Sequence, residues 1–242
     1  MSARKVPTIS ERLKTVASCV NSGSFVIDIG CDHCLTSIYL VNTNVASEIL
    51  AIDNKKGPLE GAKLNVSKFG CANEITLLLS DGLSEVMEEM LTTIFPITIL
   101  MSGIGGGLAC QILNNRKDIV SKASQLVIQA QSELFKVRET IFELGFTIVK
   151  ERMVYEDNKY YTIIVASRDK EDSKKEKVYE KYELCFGRMI DENDKKIYSS
   201  YLEREVKLGK KALEAILSGG NTTDAEGKEE IIALADTALN KL

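Results

Sequence analysis

Two rhythms of apolar residues alternate along the chain up to about residue 167. Short β-branched runs that end on Gly, Asp or Ser alternate with segments whose apolar positions fall three and four apart. Thr8 and Glu11 fit a T-x-x-E capping box, and Leu13, Val16, Ala17 and Val20 come after it at helical spacing, so an amphipathic helix is expected, stopped near Gly23. Phe25 to Ile29 predicts a strand that breaks on Gly30, and Leu35 to Val41 a helix. Glu48 to Ile52 predicts a second strand ending in Asp53, after which Pro58 opens a helix with Leu59, Ala62, Val66 and Phe69 on one face. A third strand, Ile75 to Leu79, ends in Ser80-Asp81-Gly82, with Leu83 to Leu91 read as the next helix. A fourth, Ile97 to Met101, runs into Ser102-Gly103-Ile104-Gly105-Gly106-Gly107 before a helix near Leu108 to Leu113. Gln125 to Gln129 is a fifth strand and Glu133 to Leu144 a helix. Phe146 to Tyr155 and Tyr160 to Ser167, joined by the polar loop Glu156 to Lys159, read as an antiparallel hairpin. The expected fold class is α/β: a Rossmann-like sheet of seven strands with a terminal antiparallel hairpin.

Past Ser167 the pattern changes. Asp169 to Lys177 is almost wholly charged, and the rest of the chain is helical in character and free of Pro. Val178, Tyr182, Cys185 and Met189 form one stripe, and Tyr198, Tyr201, Leu202, Val206, Leu213, Ile216 and Leu217 a second. Two long helices packed as an antiparallel pair are expected, with Ala225 to Leu242 as a third piece. The chain therefore divides into a cofactor-binding domain over 1–168 and a helical, coiled-coil-like domain over 169–242. Arg204, Lys207 and Lys211 line one side of the second helix, which suits either a solvated face or a phosphate backbone.

Composition narrows the classes. With 242 residues, 44% hydrophobic and 27% charged, the chain can bury a sizeable core. No apolar run reaches the length of a membrane span, and the opening Met-Ser-Ala-Arg-Lys precedes no apolar signal region, so a cytoplasmic protein is expected. A formal net charge of −4 argues against a wholly basic nucleic-acid binder but leaves room for a local basic patch. Cys31 and Cys34 form a C-x-x-C, yet the other four cysteines are isolated and the single His lies inside the motif. No zinc or other metal site is expected, no Pro is placed as a redox partner loop would need, and the cysteines are read as reduced structural thiols.

The chemistry gathers where the strands end. Gly30 lets a ligand lie against bare backbone at a strand-to-helix turn. The turn departs from G-x-G-x-x-G, because Asp32 and Leu35 stand at the next glycine positions, and Asp32 would repel a pyrophosphate. A cofactor without phosphate fits better, S-adenosylmethionine first among them. Asp53, at the tip of the second strand, stands where a ribose diol is held, and it is expected to face solvent; alone it reads equally as a surface turn residue. Asp81 suits an adenine amino group or a helix N-cap. The glycine-rich turn after the fourth strand brings bare backbone against something flat.

Ile9-Ser10-Glu11-Arg12-Leu13, Asp28-Ile29-Gly30-Cys31-Asp32-His33, Gly57-Pro58-Leu59 and Ser102-Gly103-Ile104-Gly105-Gly106 together resemble the bacterial tRNA (adenine(22)-N(1))-methyltransferases, class I enzymes dependent on S-adenosylmethionine. The likeness runs over about residues 8 to 167. Cys34 and Leu35 stand where a small residue and an aromatic are usual, and Ser102 where Ala is usual. The resemblance implies transfer of a methyl group from S-adenosylmethionine, leaving S-adenosylhomocysteine, to N1 of a tRNA adenine. The turn agrees, since it lacks the Asp/Asn-Pro-Pro-aromatic sequence that grips an exocyclic amine. Under this reading Gly30 and Asp32 line the methionine end of the cofactor, Asp28 reaches its ammonium, Asp53 holds its ribose and Asp81 its adenine. Asn54, Gly82, Ser102, Gly103 and His33 complete the cofactor set. Catalytic candidates are Asp32, His33, Ser102 and Gly103; RNA-contact candidates are Arg12, Lys55, Lys56, Gly105, Gly106, Arg204, Lys207 and Lys211. tRNA is the expected partner, with neither membrane nor metal, and a monomer is the favoured state. The alternatives are a methyltransferase acting on another RNA, a protein or a small molecule, and a non-catalytic RNA-binding relative.

Overall fold

The computed structural model describes residues 4–91, 93–168, 178–218 and 225–242. Seven strands form one sheet: β1 (Ser24–Ile29), β2 (Ala46–Asp53), β3 (Ile75–Leu79), β4 (Ile97–Ile104), β5 (Gln125–Ala130), β6 (Thr147–Glu156) and β7 (Lys159–Ser167). Their order is β3-β2-β1-β4-β5-β7-β6. The first five are parallel, and β7 returns antiparallel to both β5 and β6. The strand order reverses direction at β1, where the chain crosses from β3 to β4, and that crossing opens a crevice at the carboxyl ends of the strands.

Both sheet faces are covered, which explains the consecutive apolar residues Phe25 to Ile27 in β1 and Leu126 to Ile128 in β5. Ile27, Ile52, Ile99, Met101 and Ile128 face α4 (Gly106–Asn115), α5 (Lys117–Val120) and α6 (Leu134–Glu143). Val26, Ile49, Ala51, Leu100 and Val127 face α1 (Glu11–Ser18), α2 (Leu35–Asn42) and α3 (Lys56–Phe69). Alternate residues of one strand thus serve opposite layers, as a parallel sheet requires.

Three expectations need correction. Ser10, not Thr8, caps α1, its hydroxyl accepting from the Leu13 N–H at 3.3 Å. The reason is tertiary: Glu156, from the far hairpin, accepts from the N–H groups of Glu11 and Arg12, so the Glu11 side chain turns to Lys14 instead. Leu83 to Leu91 does not form an α-helix; a turn and a short 3₁₀ segment at Glu88–Leu91 take its place, with Leu83 and Val86 buried. In the C-terminal part the stripe from Val178 to Met189 gives only the short α7 (Lys181–Phe186), with Val178 and Met189 exposed. The long pair is α8 (Lys195–Ser218) with α9 (Ala225–Asn240). Gly209 meets Ile232 while Tyr198 shares a cleft with Ala238, so the two run antiparallel. The charged run 169–177 lies outside the described residues.

The helical part is tied into the sheet. The outer edge of β6 is taken by the segment entering α8: Glu151 N–H donates to Met189 O at 2.7 Å and Asp191 N–H to Glu151 O at 2.9 Å. Fully buried Arg138 of α6 pairs with fully buried Glu151 at 2.6 Å and also donates to the carbonyls of Leu184 and Cys185. The other Glu151 oxygen accepts from the Arg188 N–H at 2.9 Å. Breaking one side of such a pair leaves a buried charge without its partner. Arg138→Met is therefore expected to lower stability by about 3–5 kcal/mol in urea denaturation. Arg138→Met with Glu151→Leu should recover part of that loss, the carbonyls of Leu184 and Cys185 remaining unserved. A single variant as stable as wild type would contradict this account of the joint.

Candidate functional site

The crevice at the carboxyl edge is a cavity of about 270 Å³. Each parallel strand from β1 to β4 delivers residues to it: Gly30 after β1, Asp53 and Asn54 from β2, Ser80, Asp81 and Gly82 after β3, and Ser102, Gly103, Ile104 and Gly105 from the end of β4. Ile29, Ile52, Leu108 and Ile112 supply its apolar surface. Gly30, Gly82 and Gly103 all have positive φ, and at two of them a further contact shows why no side chain is present. Gly103 has φ +79° at a bulge where β4 slips against β5, and its N–H donates to Gln129 Oε1 at 3.0 Å. Gly82 has φ +57°, and a Cβ there would fall 2.7 Å from Ile112.

Among the described residues the lining contains two carboxylates, Asp53 and Asp81, and no Lys or Arg. Such a wall disfavours phosphate and suits an adenosyl cofactor whose sulfonium and ammonium are cationic. A cavity walled on several sides by bare backbone also admits a flat base and ribose. The residues present fit S-adenosylmethionine.

Asp53 is not the solvent-facing tip residue expected from sequence. It is buried, with one oxygen accepting from the Asp32 N–H at 3.1 Å and the other from the Lys55 N–H at 2.9 Å. The β2 carboxylate thus pins the loops after β1 and β2 as well as facing the cavity. Asp28, on β1, is buried behind the lining and accepts a hydrogen bond from the Ser37 hydroxyl of α2. Its carboxyl is pushed up to about 6, by burial above all, with the Ser37 hydrogen bond opposing the rise and the charge of Asp53 adding to it. Asp32 sits at φ +50° with an exposed side chain. His33 is also exposed, its ring resting on Gly61 of α3. Asp28, Asp32 and His33 all lie outside the lining. Cys31 and Cys34 are both buried in this turn; the hydrogen bond between them, and then burial, push the Cys31 thiol upward, away from nucleophilic use.

The RNA-contact candidates are more dispersed. Lys55 and Lys56 are exposed beside Asn54, and Gly105 lines the cavity. Gly106 is buried, with no room for a Cβ against the Ser132 carbonyl, and so serves packing between α4 and the loop after β5. Arg12 is half-buried at the end of β4, donating to Ser102 Oγ at 3.1 Å and to Gln129 Oε1 at 2.6 Å. Arg204 of α8 reaches the hairpin tip, 3.5 Å from Asn158 O and 5.6 Å from the Tyr160 ring, while Lys207 and Lys211 are exposed further along the same helix. Gln129 was not singled out from sequence. The available signal was a Gln closing the apolar run Leu126-Val127-Ile128, where full burial of an amide calls for a polar partner.

Fold and cavity together are those of a Rossmann-like methyltransferase. Residues 9–164 match a family model described as a methyltransferase domain. A tRNA (adenine(22)-N(1))-methyltransferase of Bacillus subtilis is 25% identical over 94% of this chain and 93% of its own length. A putative tRNA methyltransferase of Mycoplasma genitalium, MG248, is 30% identical over 69% of this chain and 73% of its own. Among solved structures, M. capricolum TrmK in complex with S-adenosyl-homocysteine superposes with a TM-score of 0.81 at 28% identity, covering 97% of this chain and 99% of the other. The chain belongs to the methyltransferase-domain family. These relatives bear out the resemblance of its motifs to the tRNA (adenine(22)-N(1))-methyltransferases.

Asp28 gives the site a measurable pH signature. Between its ordinary value of 3.8 and about 6 the unfolded carboxyl is ionised while the folded one keeps its proton. Stability therefore falls as pH rises through that window and stays lowered above it. Asp28→Asn keeps an acceptor for Ser37 and removes the buried charge. It is expected to be more stable than wild type at pH 8, by at most about 3 kcal/mol, with the difference gone below about pH 4. Thermal denaturation across pH reads this directly; a gap that does not close in acid would contradict it.

Proposed function

We propose that the chain transfers a methyl group from S-adenosylmethionine to N1 of adenine 22 in tRNA, in the cytoplasm, releasing S-adenosylhomocysteine. The observation that carries this reading is the glycine-walled cavity whose only charged lining groups, among the described residues, are the carboxylates Asp53 and Asp81. The B. subtilis and M. capricolum relatives support the substrate and the position. Among the described residues no helix is long and apolar enough to cross a membrane, and no group of three or more potential metal ligands is present.

In this reading Asp53 accepts hydrogen bonds from the ribose hydroxyls and Asp81 from the adenine amino group of the cofactor. Gly30, toward the methionine end, and Gly82 offer the cofactor a wall without side chains, Asn54 stands next to Asp53, and Ser102 and Gly103 stand at its reactive end. Asp28, and the exposed Asp32 and His33, act from behind or beside the lining, through the turn that holds Gly30. The cofactor, when bound, supplies an electrophilic methyl group on a sulfonium. Adenine N1 carries an in-plane lone pair, so the chain need supply no general base; its task is to position the acceptor and exclude water. The positive charge passes to the methylated adenine. Lys55 and Lys56, exposed beside Asn54, and Arg204, Lys207 and Lys211 on α8, form the RNA-facing set, with α8 and α9 serving as an arm for a folded RNA.

Labelled S-adenosylmethionine tests the proposal. The protein should transfer label to unmodified tRNA and none to the same tRNA with guanine at position 22. Asp53→Asn should weaken cofactor binding about ten- to a hundred-fold, the loss expected for charge-assisted hydrogen bonds. Equal labelling of both tRNAs would exclude the position, and wild-type cofactor affinity in Asp53→Asn would remove that residue from the site.

A further inference from the structure

Next to the cofactor cavity lies a cation that the fold has aimed but not neutralised. Arg12 of α1 is half-buried, and its Nη1 donates to two uncharged acceptors, Ser102 Oγ and Gln129 Oε1. Its Cζ lies 5.3 Å from the centroid of the Tyr161 ring. Among the described residues no carboxylate comes within ion-pair distance of it: Glu156, which reaches the same turn of α1, is engaged by the main-chain N–H groups of Glu11 and Arg12. The Nη2 and Nε donors take no acceptor from the described residues, and neither atom is sealed from solvent. A Cβ on Gly103 would lie 3.9 Å from Arg12 Nη1, so the guanidinium stands at the rim formed by the β4 turn.

Gln129 explains how the cation is held there. It is fully buried, and its single amide oxygen accepts from both Arg12 Nη1, at 2.6 Å, and the Gly103 N–H, at 3.0 Å. A buried carboxylate at this position would offer the same two bonds and cancel the charge. An amide keeps the geometry and leaves the guanidinium positive, with a planar edge of free N–H groups suited to two oxygens of one anion.

We propose that Arg12, aimed by Gln129, is an oxyanion receptor at the rim of the cavity. Gln129 is the positioning residue that couples this receptor to the Gly103 turn. If the chain is the methyltransferase proposed here, on which this inference rests, two oxyanions can reach it: the α-carboxylate of the cofactor, and a phosphate beside the target adenosine, which must leave its stack for N1 to meet the methyl group. Both are read by the same free guanidinium edge.

Gln129→Glu in the full-length chain keeps an oxygen for Arg12 Nη1 and the Gly103 N–H and cancels the positive charge, but it gives up the bond that the amide Nε2 donates to Ala130 O at 3.3 Å; Arg12→Gln, which leaves Gln129 and that bond in place, is the companion variant that separates this role from a structural one. Calorimetry with S-adenosylhomocysteine and with 5′-methylthioadenosine, which lacks the carboxylate, tests the first source. tRNA binding across a NaCl series tests the second. A loss of roughly tenfold or more for S-adenosylhomocysteine with methylthioadenosine unchanged identifies the carboxylate. A similar loss for tRNA, with the salt slope reduced by about one, identifies the phosphate. In either case Arg12→Gln should reproduce the loss and Arg12→Lys restore part of it. Wild-type affinities and salt dependence in both Gln129→Glu and Arg12→Gln would overturn the proposal, as would equal losses for the two small ligands, which mark a collapsed turn. Absence of methyl transfer to tRNA by the wild-type protein is a separate result: it refutes the methyltransferase reading and leaves the carboxylate arm readable.

Discussion

The buried pair of Arg138 and Glu151 is the joint on which the arrangement of this molecule depends. It lies where the last element of the α/β layer meets the first of the helical part, and neither side chain has any contact with solvent. Two charges removed from water are tolerable only when their remaining hydrogen-bonding positions are filled. Here they are filled by main-chain groups of Leu184, Cys185 and Arg188, all beyond the sheet. Gly187 fits the same place: it has φ +102°, and a Cβ would fall 2.7 Å from Glu151 Oε1. The salt bridge of Arg152 with Asp194 at 2.6 Å, reinforced by the Met153 N–H on the same carboxylate, repeats the tie one step along β6. The helical part is therefore not a detachable appendage, since it covers the edge of β6 that would otherwise offer a row of unpaired backbone groups.

From that joint the geometry runs to the cavity without interruption. β6 pairs with β7, β7 with β5, and β5 with β4, whose bulge at Gly103 forms part of the cavity wall. The tip of the same hairpin carries Glu156, which caps α1 and places Arg12, and Asn158, whose carbonyl meets Arg204 of α8. The hairpin thus connects the basic face of the helical arm with the rim of the cofactor site. An RNA lying along α8 would be registered against the cavity by covalent and hydrogen-bonded structure rather than by a flexible linker.

Much of this was legible from the periodicity of the chain. The central strands and the helices flanking them could be read because β1, β2, β4 and β5 are buried on both faces over most of their length and so appear as apolar runs, punctuated by Gly or Asp where they leave the core. Asp53, Asp81, Gly30 and Gly103 could be read for the same reason, since a polar residue ending a core strand of a parallel sheet stands at the ligand edge. What was not legible depended on partners distant in sequence. Glu156 displaced the capping box at Thr8, and two loop amides drew Asp53 into the interior. Leu83 and Val86 entered the core from a turn, without the helix their spacing implied. The short α7 owes its length to Gly187 and to the strand-like segment after it on β6, features visible only once β6 is known to be an edge.

A cavity walled by carboxylates, which disfavours phosphate, is suited to presenting the methyl group of S-adenosylmethionine to a ring nitrogen of adenine. Nucleoside mass spectrometry of tRNA after reaction, with standards for both methyl-adenosines, tests it most directly. N1-methyladenosine is the expected product. N6-methyladenosine formed under conditions that prevent rearrangement, or methylated guanosine alone, would contradict it.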